Sequence, residues 1–106
     1  MYNFSLMTID FCRLIKKHVE QGYKPVIVCS AMGKTTNSLL NAGEFALGGQ
    51  VHVDPIRTLH ITTATALGLS ESTIESLNQL IDEVAKLLEG CINFLLHFCI
   101  VNDKLH

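Results

Sequence analysis

One segment of the 106-residue chain stands out as a β-strand, and a lone strand cannot stand. Pro25-Val26-Ile27-Val28-Cys29 is apolar at every position and β-branched at three. A run so short and so uniformly apolar fits a strand covered on both faces, as in parallel sheets under helices. The rest of the chain has helical periodicity. Apolar residues recur three and four apart at Phe11, Leu14, Ile15, His18 and Val19, before Gly22. A second stripe, Leu39, Leu40, Gly43, Ala46 and Leu47, follows Lys34-Thr35-Thr36-Asn37 and ends at Gly48-Gly49. Asp54-Pro55 resembles an N-cap with a first-turn proline, and Ile56, Leu59, Thr63 and Leu67 continue it to Gly68. Ser72 and Glu75 form a capping-box pattern for a helix through Ile74, Leu77, Ile81, Val84 and Leu88, with Gly90 as its expected stop. Residues 91–101 are strongly apolar and fit either a strand or a buried helix.

Four helices and one strand do not complete an α/β domain, because a strand's N–H and C=O groups need neighbouring strands. Residues 1–8 or the tail could supply a second one. The expectation is therefore one partial α/β domain over 1–106, with few parallel strands and a mostly helical remainder. A strand–loop–helix unit spans 25–48, a helical insert 54–90, and an atypical apolar tail 91–106.

Composition removes several function classes. Eight Lys+Arg against ten Asp+Glu give a net charge of -2 without a basic cluster, which excludes an electrostatic nucleic-acid binder. Apolar residues make up 48% of the chain, so disorder is excluded. No apolar run reaches the roughly 20 residues of a membrane span. Asp10 and Arg13 interrupt the N-terminal apolar stretch, against a signal peptide. Cys12, Cys29, Cys91 and Cys99 form no C-x-x-C pair and are expected as reduced, buried thiols of an intracellular protein. The five histidines show no zinc-binding spacing, and Ser30 lacks the G-x-S-x-G surroundings of a hydrolase nucleophile. Glu71, Glu75, Asp82 and Glu83 mark a solvated helix face.

Chemistry concentrates where the strand gives way to a helix, at Ser30-Ala31-Met32-Gly33-Lys34-Thr35-Thr36-Asn37. The first N–H groups of a helix lack partners and carry the positive end of its dipole, so this turn suits a carboxylate or phosphate. Ser30, Thr35 and Thr36 add hydroxyls and Lys34 a positive charge. A P-loop would need a glycine five positions before Gly33, where Val28 stands. An ordinary capped helix with a surface lysine is the plainer alternative.

The stretch from Pro25 to Glu44, with S-A-M-G-K-T-T-N at its centre and L-L-N-A-G-E behind it, closely resembles a signature block of aspartate kinases, plant type especially. Ile56-Arg57-Thr58-Leu59-His60, Leu67-Gly68-Leu69 and Leu87-Leu88-Glu89-Gly90 are similar to the helical part that follows, so the resemblance covers roughly residues 25–90. It implies the amino-acid kinase (carbamate kinase-like) fold, and transfer of the γ-phosphoryl of ATP, with Mg2+, to the β-carboxylate of L-aspartate. That product, 4-phospho-L-aspartate, opens the route to lysine, threonine, methionine and isoleucine. By resemblance Ser30 stands between nucleotide phosphates and aspartate, and Thr36 binds the amino acid. Gly33, Lys34, Thr35 and Asn37 support them.

Two family motifs do not occur in these 106 residues: K-F-G-G-T-S, whose lysine and glycines hold the ATP phosphates, and S-F-G-E, whose glutamate binds aspartate. The expectation is a chain cut at both ends, inactive alone, that forms a homo-oligomer or associates with a full-length kinase. The alternative is a non-catalytic fragment. A plastid location is expected for a plant or algal source and the cytoplasm otherwise, although the N-terminus lacks Ser/Arg-rich, acid-poor transit character.

Overall fold

The computed structural model describes the backbone of residues 4–105 and the side chains of residues 6–100. Four helices follow one another: α1 (Phe4–Glu20), α2 (Thr35–Leu47), α3 (Asp54–Ala66) and α4 (Glu71–Leu105). The described residues contain no strand, which overturns the expected α/β architecture with its few parallel strands.

The physical reason is pairing. Residues 23–32 are in neither helix nor strand, and 24–31 make no backbone hydrogen bond among the described residues. Val26 and Val28 are 92% and 93% exposed. Neither flank offers a strand edge, since residues 4–8 belong to α1 and 91–105 to α4. Positions 1–3, also considered as strand, lie outside the described residues.

Three glycine stops come out as expected. Gly22 takes φ +87°, and the Tyr23 N–H donates back to the His18 carbonyl at 3.0 Å, closing α1 with a left-handed cap. Gly49 and Gly68 end α2 and α3 alike. The starts differ more. α3 begins at Asp54 itself, with Val53 in the capping place and no side-chain cap. At α4 the cap is Ser70, whose Oγ accepts the Thr73 N–H at 3.3 Å, two residues before the expected Ser72–Glu75 box. Gly90 does not stop α4. A single interior glycine costs about 1 kcal/mol against alanine, and the apolar three-four spacing continues beyond it through Cys91, Leu95 and Phe98.

Helices α2, α3 and α4 pack on one another. Their core is small: Val53, Ile56 and Ile81 are buried, with Leu77, Val84, Ala85 and Leu88 packed partly against them. Ala42, Ala46 and Ala64 let the helices approach closely. Arg57 pins α3 to α4, donating to Asn78 Oδ1 at 2.8 Å and to Asp82 Oδ1 at 2.6 Å. In contrast, α1 stands beside the extended segment: Phe11, Leu14 and Ile15 face Pro25–Val28 across a shallow groove. The radius of gyration is 19.2 Å, against about 13 Å for a globular chain of this length.

So small a core leaves much apolar surface in water. The four cysteines illustrate it: expected as buried thiols, they are free and all exposed. No helix among the described residues is long and apolar enough to cross a membrane.

Candidate functional site

The octapeptide straddles two kinds of backbone. Ser30 sits exposed at the end of the extended segment, whereas Thr36 and Asn37 sit exposed in the first turn of α2. Between them Gly33 takes φ +52°, a left-handed value that a side chain resists. A Cβ placed there would lie 3.4 Å from Leu59 Cδ2 on α3. The turn thus favours glycine for its dihedral angle, and a Cβ there would meet the end of the Leu59 side chain at ordinary contact distance. Gly33→Val should lower stability by about 1–3 kcal/mol through backbone strain and contact with Leu59. Urea unfolding followed by circular dichroism would show it; an unchanged midpoint would refute the need for glycine.

Thr35 is 8% exposed, and its hydroxyl donates to the Met32 carbonyl at 2.5 Å. Its amide donates to the same carbonyl at 3.0 Å. The hydroxyl expected to serve a ligand therefore closes the turn instead, and Thr35 acts as the turn's internal fastening. Lys34, exposed, occupies the capping place of α2 and provides no side-chain cap. The amides of Thr36 and Asn37 make no backbone hydrogen bond. Two free helix-start donors, the exposed Thr36 hydroxyl and the Lys34 ammonium lie on neighbouring residues, a donor set suited to a phosphate or carboxylate oxygen.

The arrangement is open. The cleft of about 620 Å3 between α2 and α4 is lined by Gly43, Leu47, Leu87, Cys91 and Phe94 among others, and by none of the octapeptide residues. Among the described residues no group of three His, Cys, Asp or Glu side chains is placed to hold a metal. His60, on the α3 face, has its Nδ1 2.7 Å from the Ile56 carbonyl and is occupied locally.

Comparison with known proteins finds plant enzymes similar to part of the chain. The chain is 47% identical over 77 residues to the chloroplastic aspartokinase 3 of Arabidopsis thaliana. It is 43% identical over 77 residues to the chloroplastic aspartokinase 2 of the same plant. Each match takes in 62% of this chain and 14% of the relative, so the chain spans about one seventh of the length of these curated relatives. No protein-family model and no solved structure matches it. The relatives are plant aspartokinases, and the matched region of this chain is similar to a part of each.

Proposed function

We propose that the chain supplies the octapeptide segment of an aspartate kinase, the enzyme that phosphorylates L-aspartate with Mg-ATP to give 4-phospho-L-aspartate for lysine, threonine, methionine and isoleucine synthesis. The observation that carries the proposal is the 47% identity to a plant aspartokinase. The open first turn of α2 supports it, because its unpaired amides suit the anionic oxygens that both substrates present. In this reading Ser30 contacts nucleotide phosphate and the aspartate carboxylate, and Thr36 contacts aspartate. Lys34 and Asn37 assist from the same turn, while Gly33 and Thr35 hold its shape. Magnesium would arrive on the nucleotide, whose phosphates supply its oxygen ligands. The 106 residues hold only part of the machinery, lacking K-F-G-G-T-S and S-F-G-E, so by themselves they bind weakly and do not catalyse. The chloroplastic relatives point to a plastid as the place of work.

A second reading, a non-catalytic piece that associates with a full-length kinase, draws on the unpaired segment at Val26–Val28, which offers a ready strand edge to another sheet. Titration calorimetry separates the two. Millimolar binding of Mg-ATP or aspartate, lost in the Ser30→Ala/Thr36→Ala double variant, is the expected result of the first. Absence of heat with both ligands would remove it.

A further inference from the structure

We infer that Leu59 of α3 is the positioning residue of the octapeptide turn, the fixed point from which the first amides of α2 are aimed; the inference rests on the proposed use of that turn for anionic substrates. Gly22, Gly33, Gly49 and Gly68 all take left-handed backbone angles. At Gly22, Gly49 and Gly68 nothing lies within 4 Å of where a Cβ would be, and they stand in the open where α1, α2 and α3 end. Gly33 differs. Its Cβ point lies 3.4 Å from Leu59 Cδ2 and 3.9 Å from Leu59 Cδ1. No other described atom outside its own chain neighbours comes within 4 Å of that point. The two end methyls of one leucine on α3 are thus what this side of the turn rests on.

The turn transmits that contact as one piece. Thr35 donates its hydroxyl and its amide to the Met32 carbonyl, at 2.5 and 3.0 Å, which ties residues 32 and 35 together around Gly33. Thr36 and Asn37, whose amides make no backbone hydrogen bond, follow directly. Where Leu59 holds Gly33 therefore decides where those donors point, and small displacements of a binding group are costly. The chain before the turn gives no such support, since residues 24–31 make no backbone hydrogen bond among the described residues.

Leu59 itself stands on firm ground. Ile56, three residues earlier on α3, is 5% exposed and belongs to the core with Ile81. Arg57 ties the same stretch of α3 to Asn78 and Asp82 on α4. The Leu59 carbonyl accepts the Thr63 hydroxyl at 2.8 Å. The Leu59 side chain, however, is half-buried and is not part of the cluster that α3 buries against α4. A shorter side chain at 59 would leave α3 packed on α4 while withdrawing the support from Gly33. That separates a positioning role from a general contribution to stability.

Nuclear magnetic resonance of the full chain tests this. In the unsubstituted protein, Overhauser effects should link the Leu59 methyls to the Gly33 α-protons. Leu59→Val removes both Cδ atoms and keeps a branched apolar residue. It should speed hydrogen exchange of the Thr35 amide by about tenfold. Exchange of the Arg57 amide, which starts α3 by bonding to the Val53 carbonyl at 3.0 Å, should stay within about twofold. The Kd for Mg-ATP should rise by about threefold to tenfold, the scale of lost preorganisation. Leu59→Met, which keeps the reach of the side chain, should restore both exchange and affinity. Missing Overhauser effects, equal acceleration at Thr35 and Arg57, a Kd untouched by Leu59→Val, or no rescue by Leu59→Met would each overturn the inference. An unsubstituted chain that binds no Mg-ATP would remove the proposed function and the aiming of its site, while the exchange rates would still decide whether Leu59 holds the turn.

Discussion

Replacing Ile81 with alanine should unfold the three-helix body. Ile81 is 4% exposed and, among the described residues, shares its burial with two other large residues, Val53 and Ile56. Truncating a buried isoleucine to alanine costs about 2–5 kcal/mol, the spread reflecting how far the surroundings collapse into the space. Ordinary domains hold about 5–15 kcal/mol in reserve, and a core of this size lies at the bottom of that range or below. Much of the helical circular dichroism should therefore be lost at room temperature. Leu40 on α2, 68% exposed, is the built-in control: Leu40→Ala should change the unfolding free energy by no more than about 0.5 kcal/mol. Equal effects at the two positions would mean that the core described here does not hold the helices together.

The second large effect concerns catalysis. Supplied with Mg-ATP and aspartate, the 106 residues should form no acyl phosphate above the buffer background in a hydroxylamine-trapping assay. Two charged contacts of the family's site, the lysine of K-F-G-G-T-S and the glutamate of S-F-G-E, do not occur in the sequence. A preorganised electrostatic contact contributes about 3–4 kcal/mol to transition-state stabilisation, so losing two slows the reaction by about ten-thousandfold to a millionfold. A rate within about a hundredfold of ordinary kinase turnover, 1–100 per second, would contradict the proposed division of the machinery.

Much of the helical layout was legible in the residues, because helices announce themselves locally. The stripes of α2 and α3 and the glycines at 22, 49 and 68 mark elements that the structure reproduces within a residue or two. What failed was whatever depended on partners. Val26-Ile27-Val28 has strand chemistry, but pairing is a property of two segments and no described residue pairs with it. Gly90 resembled a stop because its cost is visible in one letter, whereas the continuing apolar spacing that outweighs it is spread over many. The cysteines were assigned to an interior that this chain is too thinly packed to build. At the candidate site, the types of residue led to the expectation of a turn suited to an anion. The use of the Thr35 hydroxyl on Met32 had no sequence signal, since a threonine that fastens a turn and one that greets a ligand look the same.

The two hydroxyls assigned to substrate sit on unlike supports. Thr36 rides on a helix whose place is fixed by packing on α3 and α4, while Ser30 lies near the end of eight residues that make no backbone–backbone hydrogen bond among the described residues. A ligand bridging the pair must first quiet that ribbon, losing about 1–2 kcal/mol of chain entropy for each residue it stills. On the proposed function, affinity would be governed less by the atoms that touch the ligand than by whatever steadies the ribbon beforehand.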